Sequence, residues 1–258
     1  MRVSSYCVEE RMGQDATKLV LKRAIQSRCF LLVLIIVWRV AFAPYDSSSS
    51  LNPQCITSQG LGPHSSSNLE SSRIGSALRN SIVWDSVYFV RIAECQYEYE
   101  QSYAFLPLLP LFIHFFSRIV LFPLIPLIGY RAVLSLAGYI ICNTAFVVSA
   151  VYFYRLSEAI LRDREMALRA SILFCFNPAS IFYSSIYSES LYSVFSLGGL
   201  YHLFSGHNNF ATLWFVLSGC TRSNGFLNAG YLCYITMHKF HDALIQRKIC
   251  VSFFSLSG

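Results

Sequence analysis

The chain has 258 residues, of which 54% are hydrophobic, 16% aromatic and only 13% charged. A soluble domain carries about 25% charged residues, so these figures and a mean hydropathy of +0.46 exclude disorder, collagen, a coiled coil and a small disulfide scaffold. An all-α polytopic membrane protein remains, in which the placing of the net charge of +6 matters more than its size, because basic residues choose a side of the bilayer.

Taken in chain order, residues 1–28 are polar and carry Arg2, Arg11, Lys18, Lys22, Arg23 and Arg28, which predicts a cytoplasmic N-terminal segment. No apolar region of a cleavable signal peptide opens the chain, so the apolar run 29–43 is expected as the first transmembrane helix and signal anchor. A long loop, 44–131, follows. Between 44 and 102 it holds Arg73, Arg79 and Arg91 against Asp46, Glu70, Asp85, Glu94, Glu98 and Glu100, and so reads as lumenal. Cys55 and Cys95 share this loop and pair only if it faces an oxidising compartment; no Asn-X-Ser/Thr acceptor supports a lumenal setting. Cys29, Cys142, Cys175, Cys220 and Cys233 lie in or beside apolar runs, where a thiol acts as a small hydrophobe.

The rest of that loop, 104–128, is apolar but contains Pro107, Pro110, Pro123 and Pro126, with His114 and Arg118 in its middle. Each proline removes a backbone donor and disturbs a helix, and an Arg at mid-bilayer costs about 2.5–3.5 kcal/mol on insertion scales. A broken interfacial or re-entrant segment is expected. The run 132–154 then makes the true crossing, because Arg155, Arg162, Arg164 and Arg169 mark a cytoplasmic turn. By the same parity 170–183 goes out, 184–190 is lumenal and 191–204 returns. The run 210–237 is a hairpin interrupted at 221–225, and if Lys239, Arg247 and Lys248 are cytoplasmic that interruption is a lumenal tip. Its legs reach only about 17 Å at 1.5 Å per residue, short of a flat bilayer. The chain thus divides into a bundle at 132–237 and a tail at 238–258.

Three polar groups interrupt the apolar background, and all are expected on one side. In the first, Trp84 precedes Asp85, and interfacial Trp84, Tyr88 and Phe89 hold a short helix at headgroup level. Asp85 there is either a helix cap or solvated acid, or a catalytic carboxylate. The second runs from Asn177-Pro178 to Tyr187, Ser188 and Glu189, where Glu189 is solvated at a loop tip or part of a site. The third is Thr221-Arg222-Ser223-Asn224-Gly225. Arg222 between apolar runs needs an anion, met either by a salt bridge to Asp85 or Glu189 or by a phosphate, which guanidinium grips with paired donors. No P-loop, His-Glu-x-x-His, Cys-x-x-Cys, Gly-x-Ser-x-Gly or Asp-x-Asp occurs, and six scattered His residues argue against a metal site.

These strings carry a resemblance. Trp84-Asp85, Phe89, Ile92-Ala93-Glu94, Tyr97-Glu98-Tyr99-Glu100, Ala104-Phe105, Pro107 and Pro110 resemble the first lumenal loop of the GPI mannosyltransferase 2 family. Asn177-Pro178-Ala179 with Tyr187-Ser188-Glu189-Ser190-Leu191, then Arg222-Ser223-Asn224-Gly225-Phe226, resemble later strings of that family in the same order. The resemblance covers about residues 15–240, with Cys95-Gln96 a local departure before Tyr97, and it implies that the family is longer than this chain. It further implies a GT-C-like transmembrane bundle whose long first lumenal loop carries short interfacial helices, in a multi-pass protein of the endoplasmic reticulum membrane. Such an enzyme moves mannose from dolichyl phosphate mannose onto a GPI-precursor glycolipid in an α-1,6 linkage, without metal, nucleotide or nucleic acid and with an accessory membrane subunit as a possible partner. On this resemblance Asp85 is the base, Arg222 steadies the leaving phosphate, and Trp84, Tyr187, Glu189 and Asn224 contact substrate. The readings set against it are a membrane protein that binds or carries a glycolipid without reacting it, and an inactive truncated form.

Overall fold

The computed structural model describes residues 2–41, 55 and 73–256, with the side chains of 13–38, 41, 55 and 73–245. Asp46, Glu70, Arg2, Arg11, Arg247 and Lys248, which entered the charge reading, lie outside the described residues or side chains. All described regular structure is helical. The first helix, α1 (Arg2–Ala41), runs 40 residues through the expected boundary at residue 29. Then come α2 (Arg73–Arg79), α3 (Asp85–Cys95), a 3-10 turn at Glu100–Ala104, α4 (Leu108–Ile119), a second 3-10 turn at Phe122–Leu124 and α5 (Ile125–Ile128). The long α6 (Tyr130–Leu161) is followed by α7 (Arg164–Cys175), α8 (Ser180–Ser184), α9 (Glu189–Phe204), α10 (Asn208–Thr221), a 3-10 turn at Ser223–Asn228 and α11 (Ala229–Leu256).

The organising element is α6, 32 residues long and about 48 Å at 1.5 Å per residue. Among the described residues it is the one single helix both long and apolar enough to cross a membrane. The pair α4 and 122–128 passes the same test only jointly, and it is bent by 72°. The prolines at 107, 110, 123 and 126 explain this, since each sits at a helix start or break. The expected broken segment is therefore present, packed on α6 through Leu109 and Ile113. The remaining helices of the bundle are short: α7 has 12 residues, α9 16 and α10 14. α11 passes residue 238 without a break, where the sequence suggested that a tail begins.

Contacts along α6 set the directions of its neighbours. α1 is antiparallel to it: Val20 and Ala24 pack with Ala150 and Tyr154, while Leu32 and Ile36 share a groove with Leu136 and Tyr139. A tight turn, with Arg162 left-handed at φ 53° and Asp163 capping α7 through bonds from the N–H groups of Glu165 and Met166, sends the chain back along α6. The Asn177-Pro178 break and α8 carry it on to Gly138, whose missing side chain admits Ile186; a Cβ there would stand 2.8 Å from Ile186. α9 turns again and ends beside Tyr152. α10 returns along it, with Trp214 and Phe215 seated on Gly198 and Gly199. Residues 84–86, 184–189 and 222 consequently gather at one end of the bundle, and Gly13, Arg155 and Arg164 at the other.

Candidate active site

The link 184–188 is the keystone of the first end, and each neighbour holds it by a polar contact. Ser86 of α3 donates to the Ile186 carbonyl at 3.2 Å. Asn143 of α6 donates to the Ser184 carbonyl at 3.1 Å, and the Cys142 thiol points at the Tyr187 carbonyl at 3.4 Å. Ser190 of α9 donates to the Tyr183 carbonyl at 2.6 Å. These bonds satisfy carbonyls that the short, broken helices leave open, and they fix Tyr187 beside the start of α3.

Asp85 opens α3 and is exposed, while Tyr187 is 8% exposed. The Tyr187 hydroxyl meets the backbone N–H of Asp85. Burial, with the charges of Asp85 and Glu189 adding to it, pushes the Tyr187 phenol up to about 12, so Tyr187 keeps its proton at neutral pH and can donate it to a sugar or carboxylate oxygen. Glu189 in turn pairs with Arg222. Its second oxygen, Oε2, is buried without a hydrogen-bond partner, although such groups are normally satisfied. Arg222 keeps 39% of its side chain exposed, which leaves donors for a further anion. The salt bridge anticipated as one reading of Arg222 is thus formed, to Glu189 rather than Asp85.

Two backbone features shape the site. Trp84 adopts φ 55°, a left-handed conformation that is costly for a bulky residue, immediately before Asp85; such strain, about 1–3 kcal/mol, persists where surroundings impose it and collects at functional positions. Trp84 is 49% exposed. At the other side Gly225 lets the Ser223–Asn228 turn fold onto the end of α10: a Cβ there would lie 2.2 Å from the Ser218 carbonyl oxygen. Asn228 fastens the same turn, donating to Ser196 and Ser218 at 2.9 Å each. Two contacts therefore lie side by side: Asp85 with Tyr187, and Glu189 with Arg222, with the Glu189 charge felt at the Tyr187 phenol. Asn224 is exposed two residues beyond Arg222, near the group but with no contact drawn to it.

A cap built from α3 and the following turns covers this end. Arg91 and Glu98, with side chains 0% and 2% exposed, form a buried ion pair through Nε at 3.0 Å and Nη2 at 2.7 Å. Cys55 and Cys95 are joined in a disulfide, settling the alternative the sequence left open. Their sulfurs and a Glu98 oxygen lie within 4.8 Å of one another, a spacing suited to a metal, but the sulfurs are bonded to each other and not free to ligate. Glu94, immediately before Cys95, has Oε2 buried without a partner, and burial raises its carboxyl above the ordinary range against the opposing pull of Arg131 and Arg91. Sequence reasoning placed Glu94 in the motif but not in a role, since its burial depends on α6. Two apolar hollows flank α6, about 880 Å³ between α1, α2 and α6, and about 480 Å³ between α4, α6 and α9, with Ile140 and Thr144 on both walls.

Compared with known proteins, residues 17–256 match the family model described as mannosyltransferase (PIG-V). The chain belongs to the PIG-V mannosyltransferase family. Among curated relatives, GPI mannosyltransferase 2 of Drosophila pseudoobscura pseudoobscura is 35% identical over 58% of the chain and 34% of its own length. GPI alpha-1,6-mannosyltransferase 2 of Rattus norvegicus is 29% identical over 88% of the chain and 44% of its own length, and the Homo sapiens protein of that name is 30% identical over 62% and 32%. The chain thus spans between about a third and somewhat under half of the length of these PIG-V relatives. No solved structure matches it.

Proposed function

We propose that this PIG-V chain carries the sugar-transfer end of a membrane-bound GPI mannosyltransferase, moving mannose from dolichyl phosphate mannose to the second-mannose position of a GPI precursor, α-1,6, at the lumenal face of the endoplasmic reticulum membrane. The observation that carries the reading is the gathering at one end of the bundle of Asp85 beside Tyr187 and of Arg222 paired with Glu189, which offers a proton acceptor and a phosphate-binding group on the same side. The acceptor hydroxyl gives its proton to Asp85 as its oxygen bonds the anomeric carbon. The bond from that carbon to the phosphate oxygen breaks on the opposite face, inverting the centre, and Arg222 stabilises the charge gathering on the departing dolichyl phosphate. Glu189 holds Arg222 in place, Tyr187 donates to the sugar, and Trp84 and Asn224 line the approach. The paired apolar hollows beside α6 suit two reactants that both arrive on lipid. α6 and the helices around it make a multi-pass, GT-C-like bundle in which the Asp85 end faces the lumen.

Asp85→Ala should abolish second-mannose addition, with protein abundance unchanged, when introduced into cells lacking that activity and scored by surface display of a GPI-anchored reporter. Rescue equal to the unsubstituted protein removes Asp85 from the role of base. The reading set against it is a membrane protein that binds or carries a glycolipid without turnover. Complementation with the 258-residue form beside a full-length relative separates the two.

A further inference from the structure

We propose that the end of the bundle opposite Asp85 holds a binding site for the phosphate of an anionic lipid headgroup. A cavity of about 710 Å³ opens there between α1, the ends of α6 and α9 and the start of α7, and Lys18, Arg155, Glu158, Arg164 and Tyr201 line it. Three cations from three helices thus stand against two carboxylates, Glu158 in the lining and Asp15 beside Lys18. Glu158 is engaged with Arg164 Nε at 2.7 Å. Arg155 is exposed and has no carboxylate partner among the described residues. Lys18 pairs with Asp15 at 3.2 Å, a bridge with 73% and 68% of the two side chains exposed; such pairs hold weakly and exchange readily for a better acceptor. The floor beneath is rigid, because Val20, Ala24, Ala150, Tyr154 and Ala167 pack together there. The three helices that carry the charges are therefore set in place before a ligand arrives, and guanidinium groups match phosphate oxygens with paired donors.

The surroundings favour a lipid over a free anion. Leu19, next to Lys18, and Ile160 and Leu161, just beyond Glu158, are exposed apolar residues; acyl chains can cover them and a free phosphate cannot. The cavity also lies at the C-terminal end of α6, the apolar helix, where a spanning helix meets headgroups. Basic pockets between membrane helices recognise lipid phosphates in this way. The site is separate from sugar transfer and stands or falls without it.

The test uses the whole 258-residue chain in nonionic detergent, with equilibrium binding of dioctanoyl phosphatidic acid, dioctanoyl phosphatidylcholine and inorganic phosphate. Saturable binding of phosphatidic acid is expected, weakened about fivefold by each of Arg155→Gln and Lys18→Gln, largely kept by Arg155→Lys and reduced by added salt. Circular dichroism reports whether each variant keeps its helices, and the salt titration needs no variant. No saturable binding, equal binding of phosphatidylcholine, undiminished affinity in the folded double variant or indifference to salt would each overturn the proposal. Inorganic phosphate binding as tightly as phosphatidic acid would overturn the lipid and leave a free-anion site.

Discussion

The cap over the site and the seam between α1 and α7 each bury an arginine, and they balance its charge by different means. In the cap, Arg91 meets a full carboxylate, Glu98, seven residues along the chain. In the seam, Arg28 is 3% exposed and has no carboxylate partner among the described residues. Its Nη1 donates to the Ser180 carbonyl at 3.0 Å and the Ser184 hydroxyl at 2.9 Å, and its Nη2 to the hydroxyls of Ser27 and Ser180 at 2.9 and 2.8 Å. Nη2 also reaches the Cys175 carbonyl, at the negative end of α7, and the guanidinium lies 3.7 Å from the Phe146 ring centre. A desolvated cation is thus held either by one opposite charge or by several dipoles. The two differ in what is left behind when the cation is removed.

The largest effect should come from Arg91→Met. It strands Glu98 as a buried, uncompensated charge, which costs about 3–5 kcal/mol, read as unfolding in mixed detergent micelles. Arg91→Met with Glu98→Met should recover most of that loss, and no recovery would deny the pair its role. Arg28→Met leaves only neutral carbonyls and hydroxyls unpaired, so about 1–3 kcal/mol is expected in the same assay. A loss as large as that of Arg91→Met would erase the distinction between the two regions. The smallest effect concerns Glu94, whose raised carboxyl keeps a proton in the folded chain that the unfolded chain has released. Its contribution to stability is whole below the ordinary carboxylate range and fades as pH rises toward the folded value. Glu94→Gln should flatten the decline in stability as pH rises above the ordinary carboxylate range; an unaltered slope would assign the decline to another group.

The outline of the fold was legible where a local rule decides it. Prolines at 107, 110, 123 and 126 announce the bend, the unbroken apolar run 132–154 announces α6, and Asn177-Pro178 marks the break before α8. Counting crossings puts Asp85 and Glu189 on one side, and Arg222 with them only on the condition that Lys239, Arg247 and Lys248 are cytoplasmic. What stayed hidden depends on partners distant in sequence. Arg28 was counted as one more cytoplasmic charge, yet its acceptors lie 147 to 156 residues away, apart from Ser27 beside it. Arg91 counts in the sequence as one of three basic residues of the lumenal loop, and nothing in its neighbourhood of sequence announces that α3 turns it inward. Gly225 read as part of a polar string, but its role comes from the carbonyl of Ser218 pressed against it.

The bond between Cys55 and Cys95 closes a span of 40 residues and ends on the helix that begins with Asp85. In the chain-entropy description a ring of that size stabilises the native fold by about 4 kcal/mol. A host whose compartment keeps thiols reduced would therefore release this tether and loosen the support beneath the acid. Yeast or insect microsomes, where the two sulfurs can oxidise during insertion, are accordingly the better source of folded material than the bacterial cytosol.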